Sequence, residues 1–308
     1  MGKKLVWIGL FFVIVGLTAL LTACQTPVSA VVEQTPKVTP VAPELSPVPP
    51  ATPIPEPTPR PTPEPAEATA RENPFTEEPL RLHAQDVYYS IYYFSEGARY
   101  TNGDSPKMPA ASVIKVFIMQ YAYSRIEQGE LSEDDIIGGQ NVRRLIEGMI
   151  QQSDNTATNI LIDYFGMEAL NQFFLRQGFT ETVLQRRMLD HEARRQGLDN
   201  YTSTRDAMAF LQRLYHNRPI YPYSEMLAIM EGQAVRTKIP LLLPTDTVVA
   251  NKTGELHDVE NDIGLVFMED TAFAIVVLTD GVTNGGAVRQ AIGQLARQAY
   301  EYNRGEFR

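Results

Sequence analysis

Residues Ser112-Val113-Ile114-Lys115-Val116-Phe117-Ile118-Met119-Gln120-Tyr121-Ala122-Tyr123 form a strongly apolar run with a serine at its head and a lysine three positions on. The pattern predicts a helix over 112–127, and residues three apart on a helix share a face. The Lys115 amine is therefore expected beside the Ser112 hydroxyl. A serine hydroxyl is a weak nucleophile that needs a base. Lysine can act as that base only with a lowered pKa, and burial among Val113, Ile114, Val116, Phe117 and Ile118 disfavours its charged form. The helix N-terminus would also polarise the surroundings of the serine. Taken alone, a Ser and a Lys three apart on a helix are ordinarily surface residues.

On the N-terminal side, 86–94 is rich in Val, Ile, Tyr and Phe and reads as a strand. The turn Ser95-Glu96-Gly97 then leads to a second short strand, giving a hairpin. Beyond the serine helix, 140–178 and 204–216 read as helical. Apolar strand-like runs follow at 247–251, 263–268 and 272–278, then a turn over 281–286 and an amphipathic helix over 287–303. Strands at both ends with helices between them imply an α+β fold. The N- and C-terminal strands form one antiparallel sheet with flanking helices, and an all-helical region is inserted between them. The cleft between sheet and helical region is the expected place for a site.

Two further motifs fall in those elements. Ser153-Asp154-Asn155 lies in the helical middle. Its hydroxyl is suited to relaying a proton to a leaving nitrogen, and its amide to holding a substrate carbonyl or the lysine. The alternative is a helix cap, a position that all three residue types favour. Lys252-Thr253-Gly254 follows the strand-like 247–251 and is read as that strand's end. A cation and a hydroxyl there can hold a carboxylate, and the glycine admits close approach to the backbone. The alternative is a polar strand end with a turn glycine.

Each motif occurs once, and their order resembles that of the class A β-lactamases and the related penicillin-binding proteins. The resemblance spans about residues 80 to 305. It includes Leu241-Leu242-Leu243-Pro244 before the Lys-Thr-Gly strand and Asn261-Asp262-Ile263-Gly264 after it. It implies a serine hydrolase of β-lactam rings. Ser112 is acylated, Lys115 accepts its proton, and Ser153 passes a proton to the ring nitrogen. Asn155 binds a side-chain amide carbonyl, and Lys252, Thr253 and Gly254 line the carboxylate end. The backbone N–H groups of Ser112 and Glu255 form the oxyanion hole, usually the largest electrostatic contribution. Glu255 is unusual where the family has a small residue; its side chain either points away or repels anionic substrates.

The sequence departs from the family in the loop Leu184-Gln185-Arg186-Arg187-Met188-Leu189-Asp190-His191-Glu192. Read without gaps from Arg186, the family's water-activating glutamate position holds Met188, and its asparagine position holds Glu192. Asp190 or Glu192 replaces the missing base if the loop is shaped differently; otherwise both pair with Arg186, Arg187, Arg194 or Arg195, as charged loop residues often do. Asn200-Tyr201-Thr202-Ser203-Thr204 closes the loop. Without a base the acyl-enzyme turns over slowly, as in a D,D-peptidase-like penicillin-binding protein acting on peptidoglycan peptides. A third, non-enzymatic reading is a surface lipoprotein that uses the cleft only to bind.

The rest of the 308-residue chain places this domain in a cellular setting. Lys3 and Lys4, the apolar run from Leu5 to Leu21 and the sequence Leu21-Thr22-Ala23-Cys24 resemble a bacterial lipoprotein signal, in which Cys24 is lipidated. An uncleaved anchor helix is the alternative. Either way the chain is expected to be exported and held at the outer face of a bacterial cell membrane. Segment 1–24 is thus the signal, 25–74 a Pro-rich extended linker, and 75–308 the hydrolase domain. Cys24 is the only cysteine, which excludes an intramolecular disulfide. A net charge of −10 argues against a nucleic-acid partner. His83, His191, His216 and His257 show no metal-ligand spacing. The expected partner is a β-lactam or a peptidoglycan peptide; no cofactor or metal is expected, and the protein is expected to be a monomer.

Overall fold

The computed structural model describes residues 73–306. The signal segment with Cys24, and the linker up to residue 72, lie outside the described residues. Asn73 already belongs to the folded unit, donating from Nδ2 to Tyr89 Oη (2.7 Å) and Thr101 O (3.1 Å).

Helix α1 (Glu78–Arg81) precedes the hairpin of β1 (Asp86–Tyr93) and β2 (Ala98–Thr101). Strand β3 (Met108–Pro109) leads through a 3-10 turn (Ala111–Ile114) into α2 (Lys115–Glu127). The middle of the chain holds β4 (Ile136–Ile137), β5 (Gln140–Asn141), α3 (Val142–Gln151), α4 (Asn155–Phe165) and α5 (Met167–Arg176). It continues with α6 (His191–Arg195), β6 (Tyr201–Thr202), α7 (Thr204–Asn217) and α8 (Tyr223–Glu231). The chain returns to the sheet with β7 (Val248–Leu256), β8 (Val259–Phe267) and β9 (Ala272–Asp280), and closes with α9 (Gly285–Asn303).

The main sheet has the order β2-β1-β9-β8-β7 and is antiparallel throughout. Strand β9 explains how both chain ends share it. Its residues are apolar without alternation, as a strand covered on both faces requires. Phe273, Ile275 and Val277 enter the core beneath α9 with Val288, Ile292 and Leu295. Ala274, Val276 and Leu278 face the helical region. Helix α2 is the centre of that region: its residues from Lys115 to Tyr123 are all buried, and α3, α4 and α5 pack against it. A helix apolar all round belongs inside a core.

The α+β architecture follows the sequence closely, and the differences lie in individual elements. Strand β7 does not end before Lys252-Thr253-Gly254 but carries the motif in its middle, because β8 starts at Val259 and pairs Lys252 with Ile263 and Gly254 with Asn261. Helices α1, α6 and α8 add to the helices read from the sequence.

Candidate active site

Ser112 sits in the 3-10 turn ahead of α2 rather than in the α-helix itself. In a 3-10 turn residues i and i+3 eclipse, so Lys115 follows Ser112 on the same side one turn later. Two bonds fix the approach to this turn. Ala110 N donates to Asn200 O (2.7 Å), and Asn261 Nδ2 donates to Pro109 O (2.8 Å). Ala111 has φ +47°, a left-handed conformation that costs a residue with a Cβ.

Gly254 packs against this segment. A Cβ built there would lie 2.8 Å from Ala110 O and 3.2 Å from Ser112 N. The glycine therefore admits the backbone of the serine turn, where a ligand was expected to make the approach. Gly254→Ala is expected to push that turn away and to slow Ser112 acylation about tenfold or more, since small misplacements of reacting groups are costly. Stopped-flow acylation kinetics alongside thermal melting separate this effect from unfolding.

Lys115 is fully buried, and its Nζ donates to Ser153 O (2.8 Å), Ser153 Oγ (3.1 Å) and Asn155 Oδ1 (2.9 Å). Burial lowers its pKa to about 7, against the opposing pull of the Asp154 carboxylate. Ser153 has φ +56°, and the same hydroxyl oxygen accepts from Lys252 Nζ at 3.0 Å. Lys252 also donates to Thr253 O (2.9 Å). Burial, with Lys115 and Lys238 as like charges nearby, pushes its pKa well below the ordinary lysine value. One hydroxyl thus joins two buried lysines from opposite sides of the cleft. The capping alternative applies to Asp154 alone, which accepts from Thr156 N and Ala157 N at the start of α4.

Thr253 is buried, and beyond it Glu255 turns to a pair of cations that sequence reasoning missed. Lys238 is fully buried and donates to Gly254 O (3.1 Å) and Asn261 O (3.0 Å). Its Nζ lies 3.2 Å from Glu255 Oε1 and 2.8 Å from Glu260 Oε2. Arg289 of α9 reaches Glu255 at 3.4 Å and Glu260 at 2.7 Å. Partial burial would raise the Glu255 carboxyl, but Lys238, Arg289 and Lys252 hold it below the usual range. No local pattern marks Lys238 or Arg289, because tertiary packing brings them together.

In the loop after α5 the two candidate carboxylates, Asp190 and Glu192, have local partners. Its ends are clasped by Arg186 Nε donating to buried Asp199 at 2.7 Å, and Asn200 Oδ1 accepts from Gln185 N and Arg186 N. Arg194 links Asp199 (2.9 Å) to Asp258 (2.6 Å) at the β7–β8 turn. Asp190 is exposed and caps α6 by accepting from Ala193 N (2.9 Å). Glu192 is exposed, pairs with Arg195 and accepts from Gln196 Nε2 (2.9 Å). The short charged helix satisfies both carboxylates locally, and none of their bonds reaches Ser112, Lys115 or Ser153. Met188 is the loop residue tied to α4. Its N donates to Asn159 Oδ1 (2.8 Å), and its O accepts from Asn159 Nδ2 (3.1 Å). Asn159 lies one helical turn beyond Asn155 on the same face of α4. A cavity of about 570 Å³ beneath this loop is lined by Pro109, Arg194, Tyr201, Asp258 and Asp280, and lies off the serine–lysine cluster.

Known proteins share this fold. A solved β-lactamase from Sphaerobacter thermophilus superposes with a TM-score of 0.64 at 26% identity, covering 71% of this chain and 91% of its own. A mutant of PBP-A, solved as an acyl-enzyme complex with penicillin G, superposes with a TM-score of 0.66 at 23% identity, covering 74% and 96%. A β-lactamase of Bacteroides uniformis is 27% identical over 142 residues, 42% of this chain, and the match spans about half of that relative (48%). The model of the β-lactamase enzyme family matches residues 80–303, most of the described chain, and this protein belongs to that family.

Proposed function

We propose that Ser112 is acylated by β-lactams and that the acyl group is released slowly. The observation that carries this reading is the chain Lys115–Ser153–Lys252, two buried lysines joined through one hydroxyl. Neutral Lys115 has a lone pair, so it can take the Ser112 proton as Oγ bonds to the lactam carbonyl carbon. The C–N bond then breaks, and Ser153 delivers a proton to the departing nitrogen. Asn155 holds Lys115 through Oδ1 and keeps Nδ2 for a substrate carbonyl. The N–H groups of Ser112 and Glu255 take the carbonyl oxygen. A pure binding module has no use for a desolvated lysine beside a serine.

Slow release rests on Met188 in the place of a base and on the local pairing of Asp190 and Glu192. A slowly released acyl-enzyme fits a penicillin-binding, D,D-peptidase-like role on peptidoglycan peptides. Full β-lactam hydrolysis is the second reading, favoured by the family description and by the name of the B. uniformis relative. Intact-protein mass recorded after mixing with a chromogenic cephalosporin decides between them. A long-lived adduct supports slow release, and steady colour change with little adduct supports hydrolysis. Neither adduct nor colour change would sink both.

The acylation rate is expected to rise with pH through about 7 and then level off, because Lys115 must be neutral to accept the proton. Below that midpoint the rate falls about tenfold per pH unit. The midpoint belongs to Lys115 and Lys252 together, since they share Ser153. A flat profile between pH 5 and 9 would exclude Lys115 as the base.

We further propose that the domain is exported and tethered through a lipid on Cys24, on the strength of the Leu-Thr-Ala-Cys sequence after the apolar run. Palmitate labelling of the wild-type chain in a bacterial host, lost in Cys24→Ser, is the expected result; equal labelling of both excludes it.

A further inference from the structure

One strand residue beyond the glycine that touches the Ser112 amide, two cations converge on a carboxylate of the protein itself. Lys238 and Arg289 carry two positive charges; Glu255 and Glu260 carry two negative ones. The two carboxylates are not equivalent. Glu260 is buried (side chain 5% exposed) and serves as the internal counter-ion, whereas Glu255 is 40% exposed at the edge of the site. Lys238 is wholly buried, and of its two carboxylate partners only Glu255 is open to solvent. The pair forms an anion seat beside the reacting serine, and the side chain of Glu255 fills it.

We propose that Glu255 is a specificity-determining residue, occupying the Lys238–Arg289 seat so that the site favours acyl donors without a carboxylate next to the scissile bond. This rests on Ser112 being the acylated residue. The consequence is a substrate class. A C-terminal peptide residue and a penicillin nucleus both present a carboxylate two bonds from the departing nitrogen, and that charge meets Glu255. An internal amide or an ester presents none. The preferred substrate is therefore an uncharged ester or an internal peptide bond, which narrows the peptidoglycan reading to internal bonds over removal of a C-terminal residue, and free-acid β-lactams acylate below the capacity of the site. Replacing the Glu255 carboxylate by a neutral group leaves the seat with a net positive charge and opens it to an incoming carboxylate.

The test compares benzylpenicillin with its methyl ester as acyl donors, measuring the rate of adduct formation on wild type, Glu255→Gln and Glu255→Ala. The expected result is a rise of roughly tenfold in the penicillin-to-ester rate ratio in both variants, the scale of one charge contact in a partly exposed site. Thermal melting of both variants establishes that they are folded, so the ratio reads the Glu255 charge alone. Adduct formation with an unchanged or lowered ratio overturns the proposal while leaving Ser112 as the acylated residue. Absence of adduct from both donors on wild type overturns the Ser112 reading and this proposal with it.

Discussion

Ser112→Ala folds like the wild type and takes up no acyl group from penicillin: this is the expected result with the largest effect. Ser112 precedes α2 and is half-buried, outside the buried apolar run that holds the helical region together. Losing its hydroxyl leaves Lys115 bonded to Ser153 and Asn155, so the melting temperature should move little. The loss of reactivity should be at least about a thousandfold, the scale seen when a nucleophile that works as a unit with its base is removed. Lys115→Met is the companion test. It keeps the buried volume and removes the base, so acylation should fall by about 10² to 10⁴ while Ser112 remains. An adduct on Ser112→Ala, located by peptide mapping, would place the chemistry on another residue.

Met188→Glu is expected to convert a lasting adduct into a transient one. The backbone of Met188 is held on both sides by the Asn159 amide, and its side chain is 7% exposed. A glutamate there starts from a fixed backbone bonded to Asn159, which lies one helical turn from Asn155. Burial raises a carboxyl pKa toward the value a general base needs near neutral pH. The adduct half-life should shorten by about a hundredfold or more, read by intact mass after removal of excess penicillin. The same burial costs about 1–3 kcal/mol of stability, so a lowered melting temperature accompanies the gain. An unchanged half-life in a folded variant would mean that position 188 does not reach the water that attacks the acyl group.

The parts of the site that were legible in the sequence are those whose chemistry sits in contiguous residues. Ser112 with Lys115, Ser153 with Asn155, and Lys252 with Thr253 are each commonplace alone and become readable through their joint order, and the structure joins Lys115, Ser153, Asn155 and Lys252 by hydrogen bonds. The rest was carried by contacts between distant segments. Lys238 is one lysine in a loop until β8 and α9 bring Glu260 and Arg289 to it. The full length of β7 was hidden because Lys252 and Thr253 are polar residues in a buried strand, which breaks the apolar pattern that marks strands. The charged loop was readable as a loop, but whether Asp190 and Glu192 face inward depends on α6, a helix too short to show a period. Left-handed backbone at Ala111, Ser153 and Leu189 left no trace either, since none of the three is glycine. All three lie in or beside the segments that carry the proposed chemistry, where strained backbone tends to collect.

The pairing of β1 with β9 sets an order of events during synthesis. Asp86 meets Asp280 and Tyr93 meets Phe273, so the first strand waits for the last before the sheet closes. The serine and its lysine come from the helical region, while Lys252 comes from the late strand β7 and contacts Ser153 across 99 positions of chain. A nascent or truncated chain that stops before β9 therefore carries Ser112 without its assembled surroundings. Contacts of such long range form late in folding. With Ser112 acylated as proposed, a fluorescent penicillin is expected to report completed folding: label on the full chain counts molecules in which β1 and β9 have paired.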